Sequence, residues 1–180
     1  MNAQDTYPEP QHGPWSRLWR LGVLHSCNTA FSDNYDGAIQ GFWQEQFERT
    51  PVGSRIVDIG TGNGALLLLA KEAGRQFELH GVDAADIDPA HTVTDGSTRF
   101  SGIRFHPNCS MSTLPFAEES TQLLTSQYAF EYGPRDSTLA EILRVMAPKG
   151  RVALVLHTWD SVISKVSESQ LQACHFILEE

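Results

Sequence analysis

Basic residues are in short supply in this sequence: 13 Lys and Arg stand against 22 Asp and Glu, a net charge of −9. Nucleic-acid backbones are held through a basic face, so this balance argues against such a partner. Cysteine is scarcer still. Cys27, Cys109 and Cys174 are odd in number and far apart, which fits a reducing, cytoplasmic compartment, and no Cys/His spacing matches a zinc site. No apolar run approaches the roughly 18 residues that a membrane span requires. The N-terminus lacks the basic-then-apolar order of a secretory signal, and no segment repeats. The seven histidines are scattered and read as surface or satisfied core residues.

What is present is a globular balance, with 41% apolar and 19% charged residues in a chain of 180. That is enough for one buried core and too short for two comfortable domains. The polar start, with Pro8, Pro10, Gly13 and Pro14, reads as a flexible arm, and an aromatic, apolar stretch follows from Trp15 to Leu24. Residues 1–34 are thus expected to form an arm and lid segment ahead of a domain at 35–180. Ile39, Phe42, Trp43, Gln46 and Phe47 fall on one helical face. Ile56 to Ile59, Phe77 to Val82, Ile103 to Phe105, Leu123 to Tyr128 and Arg151 to His157 read as five strands.

After the first strand, ALLLLAKEA (65–73) predicts a helix with Gly74 just past its end. Only a turn of helix is expected within 84–102. Thr138 and Glu141 have the spacing of a capping box, ahead of an apolar stripe of Leu139, Ile142, Leu143 and Met146, and Pro148 to Gly150 would close that helix. A last amphipathic segment carries Ile163, Val166, Gln170, Cys174 and Ile177 on one face. Strands alternating with helices predict an α/β fold, a parallel sheet covered on both faces with its ligand loops along one edge.

The loop Asp58-Ile-Gly-Thr-Gly-Asn-Gly64 lies between the first strand and its helix. Glycines there let the backbone turn sharply and approach a ligand, and the free N–H groups at the helix start favour a negative group. Asp83 ends the second strand, where a carboxylate can accept both hydroxyls of a ribose. Gly60 to Ala65 also satisfies the loose dinucleotide fingerprint. Against a dinucleotide stand Asp58 at the strand end, which would repel a pyrophosphate, the long helical lead before the strand, and too little chain for a second mononucleotide half.

VDIGTGNGALLLLA (57–70), with Asp83, resembles the first motifs of the class I S-adenosylmethionine-dependent methyltransferases. Leu114 to Tyr132 is similar to that family's LPF stretch and fourth strand, and Ala140 to Val152 to its helix-to-strand RVLKPGG segment. The resemblance covers residues 35 to 160 and implies a Rossmann-like three-layer sandwich that binds S-adenosylmethionine and releases S-adenosylhomocysteine. Carried over by position, Asp58, Gly60, Gly62 and Gly64 would line the methionine moiety and ribose. Asp83 would hold the ribose hydroxyls, and Ala84 would pack near the adenine. Ser110 falls where the family often has an Asp for the adenine amino group, with Met111 beside it; a one-residue slip would put Cys109 there. Gln127 and Tyr128 would flank the sulfonium and the acceptor pocket, and Tyr35 would close over the cofactor. Trp43, Tyr132 and Trp159 are expected in core packing.

Transfer from a sulfonium asks mainly for proximity and orientation. A base is optional, and Glu131 is the one carboxylate near the end of the fourth strand that could serve. The family's C-terminal antiparallel hairpin has no signal here. The fifth strand is therefore expected at an open edge, to be covered by a second copy or a partner chain, or by further chain if the sequence is a truncation. Two readings remain. One is a methyltransferase acting on a small-molecule acceptor; the other is a non-catalytic, methyltransferase-like subunit or scaffold.

Overall fold

The structure, a computed structural model, describes residues 13–27, 30–31, 33–158, 160, 161 and 165. Five strands form one all-parallel sheet in the order β3-β2-β1-β4-β5. They are β1 (Arg55–Ile59), β2 (Glu78–Val82), β3 (Ile103–His106), β4 (Thr121–Gln127) and β5 (Met146–Val155). The helices are α1 (Pro14–Trp19), α2 (Gly37–Glu48), α3 (Ala65–Glu72), the single turns α4 (Pro89–Thr92) and α5 (Gly96–Arg99), and α6 (Arg135–Val145). A 3-10 turn, Phe130–Tyr132, follows β4.

Strand residues alternate between the two faces of the sheet. Ile56, Leu79, Leu123 and Ala153 pack under α2 and α3, with Trp43, Phe47 and the leucines 66–69. Val57, Ile59, Val82 and Leu124 pack on the other face against Ile142 and Val145 of α6 and Phe130. The result is the three-layer α/β sandwich. α3 is buried along its first six residues, and it stops where Gly74 takes φ +68.

Four local expectations change. Pro14 is the first residue of α1, where its fixed φ suits a helix start. α6 begins at Arg135 with Pro134 as its cap, so Thr138 and Glu141 form no capping box. Thr138 lies inside the helix and is buried. Glu141 instead accepts from the Leu114 backbone N–H at 2.6 Å and pairs with Arg144, and Arg144 donates to the carbonyls of Leu114 and Phe116. That fork pins the Leu114–Phe116 stretch. With α6 in this register, Thr138, Ile142 and Val145 face the sheet, while Leu139 and Leu143 are exposed. Pro148 to Gly150 does not cap the helix. The pairing jumps from Thr121↔Met146 to Leu123↔Arg151, so residues 147–150 bulge at the start of β5. Apart from Lys165, the amphipathic segment expected at 163–177, and with it Trp159, lies outside the described residues.

Candidate functional site

A cavity of about 1220 Å³ opens at the C-terminal ends of β1, β2 and β4. Pockets for one small molecule run to roughly 300–1,000 Å³, so this space can take two ligands side by side. Its floor is the loop after β1. The N–H groups of Gly60 and Thr61 both donate to the Val82 carbonyl, at 2.8 and 3.1 Å. Asp83 then fastens the loop to β2: its Oδ2 accepts from Gly62 N at 2.7 Å and its Oδ1 from Ala85 N at 2.8 Å. Burial, opposed by those two hydrogen bonds, holds the Asp83 carboxyl above the usual carboxylate range.

Asp58 lies on the sheet face under α2 and α3, opposite Thr125 in the register. Thr125 Oγ1 donates to its Oδ1 at 2.8 Å. Burial pushes the Asp58 pKa up to about 7, with the hydroxyls around it pulling the other way and Asp83 adding repulsion. A buried carboxylate without a cationic partner is costly, which gives the site an affinity for positive charge. Two positions along the same face, Gln127 Oε1 accepts from the Trp43 indole N–H. Gln127 Nε2 is buried, near the Tyr35 hydroxyl, and makes no close hydrogen bond among the described residues.

One side of the cavity is roofed by α1. The Trp19 ring lies over Gly62, where a Cβ would come within 2.5 Å of it. Asn63 Nδ2 donates to the carbonyls of Trp19 (2.9 Å) and Val23 (2.7 Å), and Arg20 pairs with Asp86. Trp15 stacks on Trp19 and meets Tyr132 edge-on at 5.6 Å. The opposite wall comes from the loop after β3, where the Cys109 N–H donates to the Asp83 carbonyl at 2.9 Å and Ser110 and Ser112 share a hydrogen bond of 2.8 Å.

Nine of the expected residues border this cavity: Tyr35, Asp58, Gly60, Asp83, Ala84, Ser110, Met111, Gln127 and Tyr128. Gly62 and Gly64 do not. Gly62 sits beneath Trp19, and Gly64 caps α3 at φ +82, where a Cβ would meet Phe105 at 2.8 Å. Cys109 is outside the wall, and Ser110 is in it. Glu131 is also outside; its Oε1 accepts from the backbone N–H and Nδ1 of His157, at 3.1 and 2.9 Å. His157 stacks on Tyr128, whose φ of +54 is a strained value for that residue type. Trp43 is core as expected, whereas Tyr132 is exposed and borders the cavity.

Trp15, Trp19, His25, Thr61 and Asn108 are among the further residues that border the cavity without having been expected there. Thr61 carried a signal, its place between two loop glycines. His25 carried none, since it reaches the site only through the fold of the lid segment.

The profile of the methyltransferase domain family matches residues 56–150. An uncharacterized methyltransferase of Mycobacterium tuberculosis is 31% identical over 122 residues, 67% of this chain and 46% of its own length. The demethylmenaquinone methyltransferase of Thermus thermophilus is 30% identical over 109 residues, 60% of this chain and 48% of its own. This chain therefore spans about half the length of the curated relatives it matches. Among solved structures, Haemonchus contortus phosphoethanolamine N-methyltransferase 2, in complex with phosphomonomethylethanolamine and S-adenosylhomocysteine, shares the fold. Its TM-score is 0.62 at 20% identity, over 81% of this chain and 36% of that one. Among the described residues no helix is long and apolar enough to cross a membrane. The profile match from β1 to the start of β5, on a parallel sheet of this order, settles the family: the chain belongs to the class I S-adenosylmethionine-dependent methyltransferases.

Proposed function

We propose that this chain binds S-adenosylmethionine in the cavity at the ends of β1, β2 and β4 and transfers its methyl group to a small-molecule acceptor. The observation that carries the reading is the convergence of Gly60, Asp83 and Gln127, from three neighbouring strands, in one cavity wall. The residues suit the cofactor. Each Asp83 oxygen accepts one backbone N–H and keeps a lone pair for a ribose hydroxyl. Gly60 has no room for a side chain, since a Cβ there would collide with Ala129. Asp58 favours a cationic ligand.

The bound cofactor supplies a methyl group on a positively charged sulfur that needs no further activation. The chain's part is then to bind and orient. Asp83 would hold the ribose, Ala84, Ser110 and Met111 the adenine end, and Tyr35 would close over the methionine end. Gln127 and Tyr128 would border the reacting centre, and α1 would exclude water above it. The size of the cavity leaves room for an acceptor beside the cofactor. A small acceptor accords with the net charge of −9 and with the name of the Thermus relative.

Calorimetric titration of the chain tests the reading. Micromolar binding of S-adenosylmethionine and S-adenosylhomocysteine, with no uptake of NAD, is expected. Binding of NAD in their place would overturn it.

A further inference from the structure

His25 is a cavity-wall residue that the binding scheme above leaves unused. Its ring is 3% exposed, stacked on Tyr35 at 4.3 Å and set edge-on to Phe31 at 5.6 Å. Nε2 lies 3.0 Å from the Asp33 carbonyl oxygen. A carbonyl only accepts, so Nε2 carries the proton and, in the neutral ring, Nδ1 presents a lone pair. That Nδ1 is buried and has no hydrogen-bond partner among the described residues. Burial also holds the His25 pKa below its usual value, against the pull of Asp33, so the ring is neutral near pH 7.

The same wall contains the converse group. The indole N–H of Trp43 can only donate, so the Gln127 amide is fixed with Oε1 toward Trp43. Among the described residues Nε2 is left as a buried donor with only the Tyr35 hydroxyl near it and no close hydrogen bond, on a residue 8% exposed. Tyr35 lies between the two, stacked on His25 and in contact with Gln127. A buried unpaired polar atom is destabilising, and a ligand that offers both an N–H or O–H and an acceptor oxygen would satisfy the pair. Of the carboxylates nearby, Asp58 takes the Thr125 hydroxyl, Asp83 two backbone N–H groups and Glu131 His157, while Asp136 is fully exposed to solvent beside Arg135.

We infer that His25 is the proton acceptor for the methyl-accepting group, a hydroxyl or amine nucleophile seated beside Tyr35 and Gln127. The inference rests on S-adenosylmethionine being the ligand of this cavity. The acceptor's heteroatom forms a bond to the methyl carbon, and the bond from that carbon to sulfur breaks, leaving its electron pair on sulfur. The heteroatom's proton passes to His25 Nδ1, giving an imidazolium that returns the proton to solvent. Charge balances: one cationic sulfonium disappears and one imidazolium forms.

Sinefungin tests this without a known acceptor, because it carries an amine where the cofactor carries the transferable methyl. Wild type should bind sinefungin more tightly than S-adenosylhomocysteine. His25→Phe keeps the aromatic stack and should lose roughly tenfold or more of the sinefungin affinity, the effect of one hydrogen bond to a charged group. Its affinity for S-adenosylhomocysteine should be unchanged. His25→Asn, which sets an amide oxygen near the Nδ1 position, should recover part of the loss. In wild type, the 15N resonance of Nδ1 should move on adding sinefungin and stay put with S-adenosylhomocysteine. Equal losses for both ligands, no loss for either, or an Nδ1 resonance indifferent to sinefungin would overturn the inference while leaving cofactor binding intact. Failure of wild type to bind S-adenosylhomocysteine at all would remove the proposed function, and this inference with it.

Discussion

Asp58 and Thr125 face each other across β1 and β4, on the side of the sheet that α2 and α3 cover. With its pKa raised to about 7 by burial, Asp58 is partly protonated at neutral pH, and a cationic ligand favours its ionised form. Affinity for S-adenosylmethionine should therefore be level above about pH 7. Below it, affinity should fall by up to roughly tenfold per pH unit, as a proton must be displaced on binding. Because the folded-state pKa is raised, Asp58 contributes stability at low pH that is lost as pH rises toward about 7. Asp58→Asn should accordingly flatten the pH dependence of binding, weaken it, and raise the melting temperature of the ligand-free chain at alkaline pH. Titrations at acid and alkaline pH together with thermal melts check both. The identity of this residue was legible in the sequence from its place at a strand end before glycines. Its protonation was not, because the burial that raises its pKa is created by tertiary packing and not by its neighbours in the sequence. The same holds for Gln127, whose amide orientation is set by Trp43 from α2, and for His25, which no pattern distinguishes.

At the level of elements, α1 and the glycine loop act as one clasp. Trp19 over Gly62 and the two Asn63 hydrogen bonds join segments some 40 residues apart. Gly62→Ala should push the Trp19 ring off the loop, at a backbone φ of +53 that a side chain already disfavours. Asn63→Ala should cost about 1–3 kcal/mol, by leaving two partly buried carbonyls unpaired. In both, limited proteolysis between Leu21 and Ser26 should speed up, and bound S-adenosylhomocysteine should be released faster. Unchanged proteolysis would mean that the clasp is not held this way. The strands were legible because buried parallel strands read as short β-branched and leucine-rich runs, and α3 because six apolar residues precede Gly74. The start of α6 was not. Thr138 and Glu141 mimic a cap, but Glu141 is committed to Leu114 and Arg144, a contact that only the tertiary fold creates.

For the whole molecule, the parallel sheet and its two packed faces follow from the alternation of strands and helices, and that much was legible from the sequence; the strand order was not. The boundary of β5 and what lies beyond it were not, since residues 147–150 bulge where a helix cap was expected. Among the described residues β5 pairs only with β4. Val152 (44% exposed) and Leu156 lie on β5, or just past its end, and Leu143 (76%) on the neighbouring α6. Unpaired strand edges with apolar side chains attract further strands. The isolated chain should associate as its concentration rises, and Val152→Glu with Leu143→Glu should reduce that association without lowering the melting temperature. Light scattering over a concentration series checks this, and a monomer at all concentrations would contradict it.

The central claim, that Asp83 at the end of β2 holds the ribose of S-adenosylmethionine, is tested most directly by titrating S-adenosylhomocysteine into wild type and Asp83→Ala under one buffer. Wild type should bind in the micromolar range. The variant should lose a hundredfold or more, on the order of two hydrogen bonds to a charged group, while still melting cooperatively. Equal affinities in the two proteins would contradict it.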